Sequence, residues 1–526
     1  MFSATRIAVA IFVLVVSFPV SAVDFQGAVQ LNGGVNDGTF DKNVRVATDR
    51  AGNWVAVYER LVQGGSFQYD IVAITSDDNG KTWSDPEFVN SNHGDSRDDT
   101  VPQIATDGNG NWVCVWKGAH DEMGHYGIFT ALSTDTGATW SDRVELDYTS
   151  FNNVDVNYPS VASDGAGTWI IAWQTYEPIE SPAKGFSDLH IAYSVSANGS
   201  TWSAKQVLSS DGPSNHSAHI MSDRDGTWIC AWVSTFDFGI EGNDDPKTVF
   251  SRSINDGTTW SSQAVVNGDF DTERKIETSP RLAADGDGNW VIVWDGYYKE
   301  GDRYDIYSAF SDDDGATWSN KKTISTIPPK SDDDVDADIA TDRNGRWIVV
   351  WGRAGSANYE LYKSESSDNG ATWTTPNDAG LVADNNNTLN DNNASIATDE
   401  DGKWAVLWHT DGGGQLDIWR SVSGPAYPGT LTLVAPNGGE KWKLGKRETI
   451  QWNSTGNPGG KVRLEFFSGN SSVTTIKAST DNDGEFRWRV PETYPAGKFY
   501  FVRIYSKKNF NIRDRSNKEF SLKAPN

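Results

Sequence analysis

Seven runs of alternating apolar residues, each opened by a tryptophan, punctuate the chain. The pattern A-x-D-x-x-G-x-W leads into every run, with Met221 in place of the Ala in the fourth copy, and its Trp falls at 54, 112, 169, 228, 290, 347 and 404. Alternation with period two predicts strands. The Asp and Gly keep one offset throughout (Asp49/Gly52, Asp107/Gly110, Asp164/Gly167, Asp223/Gly226, Asp285/Gly288, Asp342/Gly345, Asp399/Gly402), which predicts a short turn between two strands. Seven copies spaced by 57 to 62 residues mean a repeat architecture.

A second turn pattern, S-x-D-x-G-x-T-W, occurs at 76–83, 133–140, 311–318 and 366–373. Two worn copies complete the set: Asn255 replaces the Asp at 253–260, and at 195–202 only Gly199, Thr201 and Trp202 remain in place. A Ser or Asp side chain binds nearby backbone N–H groups and Gly supplies positive φ, so this is a hairpin turn. Each repeat then reads as four strands; in the fifth they fall near 281–284, 290–294, 304–311 and 322–325. The seventh repeat has strands near 396–398, 404–408 and 416–421 but stops before an outer one. Residues 25–32 resemble the outer strand 262–267, so the N-terminal strand is expected to complete the last sheet and remove its exposed edge. The second turn pattern resembles the Asp box of sialidases and other β-propellers. The expected fold is all-β: a seven-bladed β-propeller over 23–424, closed by its N-terminal strand.

A Pro/Gly-rich linker at 425–430 ends the repeats, and residues 431–526 show a different alternation, which predicts a small immunoglobulin-like β-sandwich. Its V-x-x-P-N-G-G-E start, I-x-W strand and W-x-V-P strand resemble the module of Ser/Thr-rich cell-wall-synthesis proteins. Composition agrees with an all-β chain of tight turns, with 12% aromatic residues and 50 Gly.

Residues 1–22 carry Arg6, an apolar run over 7–16 and Val20-Ser21-Ala22, which reads as a secretory signal peptide and predicts a secreted protein. No later stretch is long and apolar enough for a transmembrane segment. Cys114 and Cys230 occupy equivalent positions two repeats apart, too far for a disulfide, and are expected to be buried free thiols. Charge divides the chain: 431–526 hold 17 Lys/Arg against 9 Asp/Glu, leaving 28 against 63 elsewhere. The acidic repeats should repel nucleic acid, while the basic sandwich either docks on an anionic cell surface or is an ordinary solvated spacer.

Both turn patterns fall on one face, so the opposite face carries the irregular connections 117–125, 174–185 and 233–246, the usual place for binding residues. Every first strand begins there. The residue two before the repeated Ala reads Arg45, Gln103, Ser160, His219, Arg281, Asp338 and Ser395, each followed by Val, Ile or Leu. Period two sends the apolar neighbour between blades and leaves the polar residue near the mouth of a central funnel. Tyr69, Tyr126, Tyr176, Tyr297, Tyr298 and Tyr359 lie in or beside the irregular loops, either to stack on sugar rings or to pack between blades.

In the sialidase family, which the repeats resemble, an Arg of an R-I-P motif begins a triad that clamps a carboxylate; Asn43-Val44-Arg45-Val46-Ala47 keeps the Arg and loses the Ile-Pro. Arg60, in Val57-Tyr58-Glu59-Arg60, looks like that family's next Arg-bearing segment, Asp70 like its substrate-binding Asp, and Arg281 like a second clamp residue. No carboxylate lies between Leu61 and Gln68 to serve as the general acid, whose loss costs about 100-fold or more. Neither a third Arg nor a Tyr/Glu nucleophile pair can be placed. A polysaccharide lyase would instead need His and Tyr as base and acid beside an Arg, and His219 with Arg281 and Tyr158 or Tyr298 offers such a set, with His120 and His125 as other bases. Asp334, Asp336 and Asp338 alternate and should point one way, a weak Ca2+ candidate near the funnel; the segment lacks a calcium loop's Gly and Glu and reads first as a solvated acidic strand. No other cofactor is expected.

Together these features predict a secreted propeller recognising extracellular carbohydrate at its funnel without sialidase chemistry. A glycan-cleaving enzyme, polysaccharide lyase or glycoside hydrolase, is the first alternative, and a true exo-sialidase the second.

Overall fold

A computed structural model of the chain describes residues 23, 25, 28–32, 40–63, 67–95, 97–120, 125–148, 156–177, 188–209, 214–235, 245–266, 276–297, 303–326, 332–354, 359–376, 390–411, 416–423, 430–455, 460–469, 471–507 and 513–524. The proposed signal peptide, Tyr298 and most of the 425–430 linker lie outside them. Among the described residues the regular structure is entirely strand and turn.

Each Trp-led run forms the second strand of an antiparallel sheet. In the fifth repeat Ile276–Ala284, Trp290–Tyr297, Asp305–Ser311 and Lys322–Thr323 pair in order. Among the described residues, seven such sheets of three or four strands occur, and successive sheets share apolar clusters. One cluster joins the first sheet's Val44, Trp54 and Val72 to Ala405, Leu407 and Ile418 of the last. Trp54, Trp112, Trp169, Trp228, Trp290, Trp347 and Trp404 are at most 1% exposed, so each repeat buries its largest side chain between neighbours. In the last sheet, Val29–Gln30 is the outer strand, pairing with Leu416–Val422. The arrangement is a β-propeller.

Both turns lie on one face and touch: the amides of Asn79 and Asp314 donate to the carbonyls of Gly52 and Gly288. In the second turn, Ser76 Oγ accepts from Gly80 N and Asp78 accepts from the amides of Lys81 and Thr82. Burial opposes ionisation of Asp78, but these donors and the Thr82 and Ser76 hydroxyls outweigh it and hold the carboxyl below its usual range. The copy at 195–202 is shortened, not lost. Ser196 accepts from Gly199 N and Asn198 from Ser200 N and Thr201 N, so the same roles are filled one residue later.

Cys114 and Cys230 are buried free thiols, pushed upward in pKa by burial. The C-terminal part pairs Thr430–Ala435, Arg447–Thr455 and Glu485–Arg489 in one sheet and packs it on a second, around Trp442, Trp452, Phe466 and Trp488.

Candidate functional site

All seven ring positions, Arg45, Gln103, Ser160, His219, Arg281, Asp338 and Ser395, line one cavity of about 1170 Å3 that includes space open to solvent. A second, of about 910 Å3, shares Arg45, Gln103, Ser160, His219, Arg281 and Asp338 and continues toward the irregular face. The ring is therefore a waist in a central passage.

Above the waist every innermost strand carries the same defect. Asn43, Val101, Tyr158, Ser217, Ser279, Asp336 and Asn393, each two residues before its ring position, are left-handed with φ between 48° and 58°. A register shift accompanies each one, as between Lys42 and Arg45 or Val335 and Asp338. These are β-bulges, and they re-aim the side chains: all seven bulge residues line the upper cavity. Left-handed backbone is unfavourable for non-glycine residues, most of all for β-branched Val101.

Four ring residues share one contact. Ser160 Oγ accepts from Ile220 N at 3.1 Å, His219 Nδ1 from Leu282 N at 3.2 Å, Asp338 Oδ2 from Ile396 N at 2.9 Å and Ser395 Oγ from Val46 N at 3.3 Å. In each case the donor is the amide beside the next sheet's ring residue. Arg45 and Arg281 have no acceptor to offer, because guanidinium only donates. Arg281 turns back on its own strand, Nη1 donating to Pro280 O, while Arg45 Nη1 donates to Val44 O and to Asn393 Oδ1 of the last sheet. Among the described residues their remaining N–H groups have no protein partner and are not sealed from solvent.

Burial, then the Arg281 guanidinium, lowers Arg45 to about 10, against the pull of Asp338, Asp336 and Glu59. Burial likewise raises Asp338, which Arg281, Arg45 and two backbone amides pull back. Burial followed by Arg281 and Arg45 holds His219 well below the imidazole range. His219 is thus neutral, and accepting at Nδ1 places its proton on Nε2. With Nδ1 engaged by that amide, the ring offers a donor at Nε2 rather than a free lone pair.

Residues 167–443 match the BNR repeat-like domain, more than half of the chain. The chain belongs to the BNR repeat-like family. Residues 435–518 of this BNR protein match the Kre9/KNH-like N-terminal Ig-like domain. No curated protein matches it. Similar solved structures include the α-L-arabinofuranosidase Arb93A of Fusarium graminearum in complex with an iminosugar inhibitor, at 13% identity and TM-score 0.44 over 76% of this chain and 98% of that one. An ulvan lyase bound to its glucuronate–sulforhamnose unit is 12% identical, at TM-score 0.43 over 76% and 94%. The intramolecular trans-sialidase of Ruminococcus gnavus is 11% identical, at TM-score 0.36 over 75% and 94%. At these scores no residue is carried over from them.

Other expected site residues of the BNR protein fall elsewhere. Arg60 makes a two-pronged pair with Asp41 at 3.0 and 2.8 Å, and Asp70 is fully buried, accepting from Asn90 and Gly94; neither lines the passage. Both face buried polar partners that the sequence phrase did not reveal. The Asp334, Asp336, Asp338 set also separates, because the bulge at Asp336 breaks the alternation. Asp334 is buried against the Trp351 indole and Arg353, and no cluster able to hold a metal occurs among the described residues. His120 stacks on Tyr148 and pairs with Glu145, and His125 is buried. Tyr69, Tyr126 and Tyr297 are engaged by Lys42, Lys117 and Tyr304, away from the passage. Tyr176 and Tyr359 do not line it either.

Two carboxylates were not singled out. Glu59 Oε1 accepts from Asn43 Nδ2 and Val101 N, bracing two bulges. Asp295 lies behind Arg281; burial raises it to about 7, the Thr278 hydroxyl and Arg281 pull it down, and Asp336 pushes it up. Among the described residues its Oδ1 is buried without a partner. Both follow the second aromatic residue of their repeat, Tyr58 or Trp294, which was the available signal.

Proposed function

We propose that the BNR protein recognises extracellular carbohydrate in its central funnel, binding it without sialidase chemistry. In this reading residues 1–22 direct secretion, 23–424 form a closed seven-bladed ring with Val29–Gln30 as its latch, 425–430 link, and 431–526 are an accessory sandwich. One observation carries the functional part. Where four ring positions are spent on joining neighbouring sheets, Arg45 and Arg281 keep unpartnered guanidinium donors at the same level, beside Asp336, Asn43 and Asn393. Such donors favour a sugar bearing a carboxylate or sulfate, because planar N–H pairs match oxyanions. The exposed Tyr158 ring at the mouth offers a stacking surface.

A glycan-cleaving reading has Asp295 in its favour, since a carboxyl near 7 suits a general acid. It is 4% exposed and does not line the funnel, so it would have to act through a rearranged Arg281. Glycan-array binding and turnover on uronate polymers, arabinans and sialosides separate the two readings. Binding that is retained by Asp295→Asn, lost in Arg45→Gln and Arg281→Gln, and accompanied by no turnover is the expected result. Turnover abolished by Asp295→Asn would replace the binding reading with the enzymatic one, and undiminished binding by both arginine variants would remove the funnel as the site.

A further inference from the structure

The passage has a second end, and the residues there are unlike its mouth. After each repeated Asp the turn places one residue in the left-handed region: Arg50, Gly108, Gly165, Arg224, Gly286, Arg343 and Glu400, with φ between 57° and 79°. Three repeats use glycine, which has no Cβ to clash. The other four place long charged side chains where left-handed backbone costs about 1–2 kcal/mol each. All four converge. Arg224 Nη1 lies 2.7 Å from Glu400 Oε1, Arg343 Nε 3.7 Å and Arg50 Nη1 3.8 Å from the same oxygen. They come from the first, fourth, sixth and seventh repeats, so they meet across the axis, and Arg224, Arg343 and Glu400 line the lower cavity. The glycines at 108 and 286 are part of the arrangement, because a Cβ there would press on the guanidiniums of Arg50 and Arg343.

Three guanidiniums share one carboxylate oxygen, and only Arg224 is within hydrogen-bond distance of it. Among the described residues, Arg50 Nη1 is buried without a hydrogen-bond partner. The other carboxylates nearby are turn residues with their own donors: Asp49 accepts from Ala51 N and Asn53 N, Asp223 from Asp225 N and Thr227 N, and Asp285 from Asp287 N and Asn289 N. Arg343 also donates to Asp223 O at 2.5 Å. Side chains of the four converging residues remain 21% to 31% exposed, so solvent reaches the cluster.

We propose that this lower mouth is a binding site for a small tetrahedral oxyanion of the sulfate or phosphate class, held by Arg50, Arg224 and Arg343, with Glu400 as a built-in competitor. A tetrahedral anion presents several oxygens where Glu400 supplies one to three donors, so it satisfies the guanidiniums that the carboxylate reaches only at ion-pair distance. The site is separate from the funnel and does not depend on the glycan reading.

The test is calorimetric titration of the full chain with sodium sulfate, sodium phosphate and glucose 6-sulfate, at ionic strength matched with NaCl. An Arg45→Gln/Arg281→Gln background removes funnel binding. Saturable binding is expected there, tightened at least about tenfold, the equivalent of about 1.4 kcal/mol, by Glu400→Gln and abolished by adding Arg224→Gln/Arg343→Gln. Binding of glucose 6-sulfate as well as sulfate would identify a sulfate ester as an accepted source; sulfate alone would restrict the site to the free ion. Circular dichroism confirms that each variant is folded, and Arg50→Gln, which breaks no bond closer than 3.8 Å, serves if the double variant is not. Equal heats with and without the arginines, or a Glu400→Gln protein that is merely destabilised and takes up no anion, would reduce the cluster to an ionic clasp between sheets and overturn the proposal.

Discussion

Ser160, His219, Asp338 and Ser395 have four different side chains and one common contact, an acceptor presented to the amide of the next innermost strand. That amide lies on a strand edge facing the passage, where no further strand arrives to pair with it, so the ring residue closes an edge that sheet structure leaves open. Among the described residues Gln103 makes no such bond. The contrast gives a stability test within one ring. Ser160→Ala and His219→Ala each leave a buried amide without its acceptor and are expected to cost about 1–3 kcal/mol in urea denaturation of the propeller, while Gln103→Ala changes it by less than about 0.5 kcal/mol. A Gln103→Ala loss as large as that of His219→Ala would show the ring to be uniformly structural. Period-two alternation was enough to pick these seven positions out of the sequence. Their bond to the next sheet was not legible, because it joins residues 58 to 63 positions apart, or 349 where Ser395 meets Val46, that share no local pattern. Nor was the pairing of Arg60 legible: its partner Asp41 lies on the preceding strand, and nothing in Val57-Tyr58-Glu59-Arg60 points to it.

At the level of the elements, the turns carry the repeat and its glycines carry the joints. Gly137, Gly257, Gly315 and Gly370 lie against Val55, Ile170, Ile229 and Val291, each belonging to the sheet before, so the turn that ends one sheet is fitted into its neighbour's core. This is why Gly199 persists in the copy at 195–202 while the Ser and Asp slide by a residue. At Gly370 a Cβ would stand 2.7 Å from Val291 Cγ2, and φ is +82°. Valine cannot swing away, being fixed at χ1. Gly226, with φ of +103° and nothing within 4 Å of its Cβ position, carries the backbone penalty alone. Gly370→Ala is therefore expected to lower stability by about 2–4 kcal/mol and Gly226→Ala by about 1–2 kcal/mol, as read from denaturant midpoints at unchanged m-value. Equal losses would show that contact between sheets contributes nothing at this turn. Strand order and turn positions were readable from spacing, but the bulges were not. A bulge changes no composition, and only Pro102, Pro159 and Pro280 mark its place; it is what turned the expected row of Asp334, Asp336 and Asp338 into one core residue and two funnel residues.

For the whole molecule, buried and turn carboxyls act on stability in opposite pH ranges. Asp99, Asp295 and Asp334 are raised to about 7, in each case chiefly by burial. Their folded form holds its proton more tightly than the unfolded chain, whose Asp titrates near about 3.9. The stability they contribute is complete below that value and is lost as pH rises from about 4 through about 7. Asp78, Asp135, Asp313 and Asp368 are lowered: partial burial opposes ionisation, but the Thr amide and hydroxyl four residues on, with the turn's Ser, outweigh it. Their contribution is present above the unfolded pKa and disappears as pH falls through the lowered one. A net charge of −27 adds repulsion that also grows with pH. Buried His216, His219 and His409 act the other way: burial lowers each, so the stability they contribute is lost as pH falls below about 6.5. The propeller's Tm is therefore expected to peak between about pH 5 and 6.5 and to decline toward pH 8 and below about pH 3.5. Asp295→Asn separates burial from overall charge. It removes one charge in a large excess, yet it should flatten the alkaline decline measurably if desolvation of that carboxyl is the cause. Scanning calorimetry across this range checks both statements, and a wild-type Tm that climbs steadily to pH 8 would mean that Asp99, Asp295 and Asp334 are ionised in the fold with better compensation than Trp116, Thr278 and Arg353 supply.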